Sequence, residues 1–230
     1  CGEFTLYHGR DIRITRCFSD GRGGYTARTL TALYVEDLLV ENCVTLNKMS
    51  GAMDLARCPR ARVLHTVFAR PMIAAFVLNN TPDQEMILEN TIVTDMLEKK
   101  AAFNIALAAI EDVRALRMNN NCFLVRRFAP GARILFSDVD HALRKVTRHY
   151  TLPELDAERG DSRFLFADPL FAGDPGAPGS PADKSGFSPD RLMNPALALD
   201  FDSFFATHPE VVKRGIGLQP EAFREFPFKR

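Results

Sequence analysis

The chain has 230 residues, 46 % hydrophobic and 25 % charged, and its 29 Lys and Arg balance 29 Asp and Glu. That is the composition of a soluble globular protein, without the basic excess of a nucleic-acid-binding domain. Five cysteines with no C-x-x-C spacing argue against a disulfide framework or a zinc ribbon, and no apolar run approaches the roughly 18–20 residues that span a bilayer.

Arginine outnumbers lysine 22 to 7, a bias toward planar, interfacial pairing. The cysteines read as reduced thiols in an intracellular compartment. A start at Cys1 rather than Met leans the expectation toward an organelle such as the mitochondrion.

Residues 1–80 read as a β domain. Phe4–Tyr7, Asp11–Arg16, Thr29–Val35, Leu38–Leu46 and Val63–Phe68 are short runs rich in β-branched, leucine and tyrosine side chains. The loop Asp20-Gly21-Arg22-Gly23-Gly24 lacks the spacing of a phosphate-binding loop and reads as a turn. A small pattern recurs as Ile14-Thr15-Arg16-Cys17, Val40-Glu41-Asn42-Cys43 and Leu55-Ala56-Arg57-Cys58. A recurring strand-plus-turn unit signals a solenoid, whose coils would stack the three thiols in one interior ladder. A β-sandwich with scattered buried cysteines is the alternative.

The stretch from Leu33 to Asn79 resembles the β-helix of the tubulin-binding cofactor C and cyclase-associated protein family. The run from Arg57 to Ile73 carries the likeness, with Cys58, a strand beginning at Val63 and Pro71. The resemblance implies a right-handed parallel β-helix of short coils. Family members that activate GTPases carry a finger arginine about four residues before this Cys, where this sequence has Asp54, and a carboxylate cannot stabilise developing phosphoryl charge.

Residues 81–150 read as a helical and hairpin segment packed on the β domain. Thr81-Pro82-Asp83-Gln84 is a helix start, with Thr as N-cap, Pro at the first position and Gln at the capping-box position. Met86, Val93 and Leu97, then Ala102, Ala106, Ala109, Val113 and Leu116, follow at helical spacing. Cys122–Phe128 and Arg133–Phe136 suggest a hairpin around Ala129–Ala132. Ser137-Asp138-Val139-Asp140 reads as an acid-rich helix start rather than the DxD of a phosphoryl-transfer enzyme. The helix it opens, 139–150, would present Arg144, Lys145 and Arg148 to a protein partner, with RNA phosphate a less favoured one.

Residues 151–230 hold ten of the 14 prolines and ten of the 18 phenylalanines. Proline removes donors and fixes φ, which argues against a compact domain, while phenylalanine resists exposure. The expected solution is an extended arm with a linker over 168–189 and a short helix around Ser203–Arg214. Phe166, Phe171, Phe204, Phe205 and Phe226 would anchor it in pockets on other protein subunits.

The fold class is therefore α+β: a mainly-β N-terminal domain, central helices and an extended arm. No catalytic, cofactor or metal site is expected. The five histidines have no ligand spacing, and Cys58 or Cys122 has no local nucleophile signature. The functional expectation is a non-catalytic structural or assembly subunit of a large multiprotein complex. A cofactor C-like partner of tubulin or small GTPases and a viral capsid or scaffold protein are the alternatives.

Overall fold

A computed structural model describes residues 3–21, 28–46, 48, 51–69, 74–94, 108–110, 113–124, 136–140, 145–150, 154, 164–172 and 200–224. The first strands are β1 (Phe4–Arg10), β2 (Arg13–Thr15) and β3 (Phe18–Asp20). Then come β4 (Leu30–Glu36), β5 (Leu39–Glu41) and β6 (Val44–Leu46), followed by β7 (Gly51–Ala56), β8 (Arg62–Leu64) and β9 (Val67–Ala69). The series continues with β10 (Ala74–Asn79), β11 (Met86–Glu89) and β12 (Ile92–Thr94), then β13 (Ala108–Ile110), β14 (Leu116–Asn119) and β15 (Asn121–Leu124).

Each of these strands except β14, which ends its sheet, pairs in parallel with the strand three further along, so three strands make one coil of a β-solenoid. Sheet A stacks β1-β4-β7-β10-β13, sheet B stacks β2-β5-β8-β11-β14, and sheet C stacks β3-β6-β9-β12-β15. Sheet A continues into β16 (Phe136–Asp140), which pairs antiparallel with β17 (Lys145–Tyr150), and sheet C ends on β18 (Phe164–Phe166). Two further short helices, α1 (Pro209–Lys213) and α2 (Glu221–Arg224), lie in the C-terminal segment.

Single residues turn the chain at the corners. Between the second and third strand of successive coils, Arg16, Asn42, His65, Asn90 and Asn120 all have φ between 47° and 54°. Asparagine visits this left-handed region at little cost, whereas arginine and histidine adopt it at a cost of about 1–2 kcal/mol. These corners cut Leu38–Leu46 into β5 and β6, and Val63–Phe68 into β8 and β9. The two expected strands face each other in parallel, with Val40 opposite Val63 and Thr45 opposite Phe68, which rules out the sandwich.

The interior is a narrow apolar column. Leu30, Leu55, Val63, Phe68, Leu88 and Phe123 are buried there. Two buried asparagines inside it are tied to the backbone. Asn80 accepts from Cys58 N–H at 3.0 Å and donates to Cys58 O at 3.0 Å and Gln84 O at 2.7 Å. Asn121 does the same in the next coil, accepting from Thr91 N–H at 2.9 Å and donating to Leu88 O at 2.9 Å.

The expected thiol ladder is half right. Cys17 and Cys43 lie 26 residues apart at the same corner, where β3 stacks on β6 with Phe18 opposite Val44. Cys58 follows the other corner, between the first and second strand of its coil, since Leu33 stands opposite Ala56 in sheet A. Its spacing of 15 from Cys43 is not a coil length.

The central helices are not formed among the described residues. Thr81 does begin a helical turn, with Thr81 N–H donating to Gln84 Oε1 at 3.4 Å, but the turn is a single 3-10 unit, Pro82–Gln84. Met86-Ile87-Leu88-Glu89 then alternates buried and half-buried as a strand. Val93 sits in β12, Ala109 in β13 and Leu116 in β14, while Leu97, Ala102 and Ala106 lie outside the described residues. Short coil strands produced a spacing that imitates a helix.

The described ends of the expected hairpin do not pair, and residues 125–135 lie outside the described residues. Cys122 belongs to sheet C and Phe136 to sheet A. Ser137–Asp140 lies in β16 rather than at a helix start, and β17 replaces the helix 139–150.

Candidate interaction surface

Sheet C is covered on both faces. Inward it presents Phe68, Val93 and Phe123 to the central column. Outward, Val44, Leu46, Val67, Ala69, Ile92 and Cys122 meet Phe171, Phe204, Val211, Ile216 and Leu218 from the C-terminal segment. Phe204 is fully buried and Phe171 is 5 % exposed. Phe204 lies against Phe18 and Phe171 with ring centroids 5.6 Å and 5.5 Å apart. Phe223 reaches Phe201 at 4.7 Å and Phe205 at 5.7 Å. Contact between Phe171 and Ala206, one antiparallel bridge, ties the two parts of the segment together.

A polar seam holds this cover to the corner ladder. Arg16 Nη1 donates to Ala222 O at 3.2 Å, and Gln219 N–H donates to Asn42 Oδ1 at 2.9 Å. His65 Nδ1 lies 3.2 Å from Gly217 O, and Gly217 N–H donates to Asn90 O at 2.7 Å. Asn120 Nδ2 donates to Arg214 O at 2.9 Å. Read from the first coil onward, the corner residues meet 222, 219, 217 and 214 in descending order, so the segment runs against the direction of stacking. A carbonyl only accepts, so His65 carries its hydrogen on Nδ1 and offers Nε2 to the amides of Gln219 at 3.0 Å and Asn90 at 3.4 Å.

Gly217 makes the close approach possible. Its φ is +91°, and a Cβ there would lie 2.5 Å from Ile92 Cδ1. His208 caps α1, its Nδ1 accepting from Glu210 N–H at 3.3 Å.

The partner anchors expected from sequence are distributed accordingly. Phe171 and Phe204 fill this chain's own core, and Phe205 is half-buried beside them. Phe166 lies on β18 opposite Phe123, and Phe226 falls outside the described residues. Lys145 and Arg148 lie on β17 and Arg144 outside the described residues, so the helical face that was to join them is absent. The supposed arm is, over residues 200–224, a cover for sheet C.

A different strip faces solvent. Tyr7 is 62 % exposed and Tyr34 55 % exposed, the two most exposed large apolar side chains of the described residues apart from Val212. His8 and Tyr34 stack across adjacent coils, with ring centroids 4.9 Å apart and planes 3° apart. His8, Tyr34 and Arg57 occupy one ladder at left-handed φ of 53°, 59° and 56°. Arg57 is exposed. The strip was missed in the sequence, although its spacings of 26 and 23 residues equal the coil lengths.

Charges border the strip. Arg60 forks onto Asp37 at 2.6 and 2.8 Å and also pairs with Glu36, which Arg10 meets from the other side. Hydrogen bonding from Arg60, then from Arg10, holds the Glu36 carboxyl below the usual range, and Arg60 does the same to Asp37. Lys48 is a second residue that sequence reasoning passed over. It is 1 % exposed, and burial lowers its ammonium pKa against the opposing pull of Asp20 and Glu3.

Asp54 is ion-paired with Arg28 at 3.2 Å. Asp138 lies in β16, with its backbone opposite Ile110 of β13 and Arg148 of β17. Among the described residues no group of three or more His, Cys, Asp or Glu could hold a metal ion, and no helix is long and apolar enough to cross a membrane. Next to α1, Phe205, Ile216, Leu218 and Pro220 line an open cavity of about 330 Å³. No protein-family model, curated protein or solved structure matches the chain significantly.

Proposed function

We propose that the chain is a non-catalytic structural subunit of a multiprotein assembly, and that it meets a neighbouring protein through the strip Tyr7, His8, Tyr34 and Arg57. The observation that carries this reading is the exposed Tyr34, stacked on His8 along a ladder whose backbone is held at left-handed φ, with the exposed Tyr7 beside it. Tyrosine and arginine are the residues that dominate binding hot spots. Strained backbone tends to persist where a site is over-determined by its surroundings. The cover on sheet C adds support from the other side, because it uses Phe171, Phe204, Phe205 and Phe223 within the chain, while Tyr7 and Tyr34 stay exposed.

The test is the mass of the native particle containing the chain, measured with and without the double substitution Tyr7→Ser and Tyr34→Ser. The wild-type chain should run in a particle well above 25.7 kDa. The double variant should leave that particle while melting at the same temperature. A monomeric wild-type chain, or a variant that assembles normally, would sink the reading.

A cofactor C-like role is the second reading, favoured by the stacked parallel coils, though a fold alone does not assign a function. It predicts co-purification of tubulin or a small GTPase. The ion-paired Asp54 argues against GTPase activation, so no acceleration of GTP hydrolysis is expected from the chain alone.

A further inference from the structure

Two of the four thiols described differ from the others in their surroundings. Cys58 and Cys122 are fully buried, and each points its sulfur at backbone carbonyls: Cys58 at Ala32 O and Ala56 O, both 3.3 Å, and Cys122 at Ala167 O, 3.4 Å. The sulfurs of Cys17 and Cys43 also reach backbone carbonyls, Thr15 O at 3.6 Å and Glu41 O at 3.3 Å, but these two thiols in addition stack on each other at one corner. Cys17 N–H donates to Cys43 Sγ at 3.4 Å, and Val44 N–H donates to Cys17 O at 2.8 Å. Adjacent coils are spaced like adjacent strands, about 4.8 Å apart, which falls inside the Cα separation of roughly 4.4–6.8 Å that disulfides bridge. Cys17 is partly exposed and Cys43 is 2 % exposed, so a reagent from solvent meets Cys17 first.

We propose that Cys17 and Cys43 are a redox-active thiol pair, oxidised by small-molecule disulfides, with Cys17 as the attacking sulfur and Cys43 as the resolving one. The Cys17 thiolate attacks one sulfur of a disulfide RS–SR. The S–S bond breaks and RS⁻ leaves, taking a proton from solvent. Cys43 then attacks the Cys17 sulfur of the mixed disulfide, the second RS⁻ departs, and the Cys43 proton ends on it. One disulfide is reduced to two thiols, and the pair is oxidised to one bond across the first two coils.

The electrostatics favour this direction of attack. The adjacent Cys43 thiol, by hydrogen bonding, lowers the Cys17 pKa to about 7 against the effect of burial. Its hydrogen bond to Cys17 and its own burial push Cys43 up. Burial pushes Cys58 up as well, and Cys122 up to about 12. The thiolate is the nucleophile, so Cys17 is the reactive sulfur at neutral pH.

The experiment treats the full chain with oxidised glutathione and maps every cysteine by peptide mass spectrometry. The expected product is a Cys17–Cys43 cross-linked peptide with no retained glutathione, with Cys58 and Cys122 unmodified. Its rate of formation should rise about tenfold from pH 6 to pH 8, as the thiolate fraction of a group titrating near 7 fills in. The variant Cys43→Ala should keep glutathione on Cys17. An adduct that persists on wild-type Cys17, or a Cys17 that does not react while the folded chain is intact, overturns the proposal. The wild-type mapping decides the question even if the variant fails to fold.

Discussion

Sheets B and C are built from the same coils, yet their strands bury differently. In sheet B, β11 alternates buried and half-buried residues and β14 leaves Arg117 exposed between Leu116 and Met118. In sheet C, β6, β9 and β12 are buried at every position. A strand that meets a core on one face only alternates, and one enclosed on both faces does not. The difference marks where the chain folds back on itself: sheet C is covered by residues 200–224 and the outer face of sheet B is not. What composition suggested was a tail for other proteins is, in the described residues, a second layer of this one.

The sharpest way to break that comparison is to remove the cover. Deleting residues 200–230 should expose Val44, Leu46, Val67 and Ile92 at once, and each buried aliphatic side chain contributes about 1.5–3 kcal/mol. The truncated chain should therefore lose cooperative unfolding by heat or urea, or aggregate. A truncated chain that melts like the full one would show that sheet C does not need its cover.

Point substitutions sharpen the same contrast. Phe204→Ala should cost about 3–5 kcal/mol in urea denaturation, because a fully buried ring leaves a cavity. The matched pair Ile92→Ala and Ile87→Ala compares the outer faces directly. Ile92 is fully buried under the cover, so its loss should cost about 2–5 kcal/mol, whereas half-buried Ile87 on sheet B should lose under about 1.5 kcal/mol. Equal losses would dissolve the distinction between the sheets.

Gly217→Ala should come next, at about 2–3 kcal/mol, since the new methyl collides with Ile92 and the backbone is left-handed there. Proteolysis should then begin in the C-terminal segment rather than in the coils. The smallest effect belongs to the exposed cluster of Arg60, Glu36 and Asp37. Glu36→Gln should leave the urea midpoint nearly unchanged. Both carboxylates are held below their ordinary range, so their contribution is present above the ordinary carboxylate pKa and is lost as pH falls through the lowered values.

Much of the first three coils was legible in the sequence. Phe4–Tyr7, Thr29–Val35 and the repeated apolar-x-Arg/Asn-Cys pattern lie in or beside strands of the solenoid, and the pattern's first spacing, 26 residues, is a true coil length. The corners were not legible, because a single residue at left-handed φ leaves no mark in a run such as Leu38–Leu46 beyond Asn42 itself. Past residue 80, strands of three or four residues separated by turns put apolar side chains at intervals of three and four, which a helix would also show. Thr81-Pro82-Asp83-Gln84 strengthened that impression with a genuine cap that closes only one turn.

The C-terminal segment teaches a different limit. Phenylalanine among prolines says that pockets are required, but not whose they are. One signal did bear on the answer: Val67-Phe68-Ala69 and Ile92-Val93-Thr94 do not alternate, so both faces of those strands needed covering. The strip at Tyr7, His8 and Tyr34 escaped because tyrosine and histidine in a strand look ordinary until the coil period aligns them.

Hydrogen exchange on the isolated chain tests the cover most directly. Gly217 N–H is bonded to Asn90 O and Gln219 N–H to Asn42 Oδ1, both across the seam. These two amides should be protected together with Val44 and Val67, whose N–H groups bond between coils within the solenoid. Exchange of Gly217 and Gln219 at free-peptide rates, with Val44 and Val67 still protected, would contradict the account.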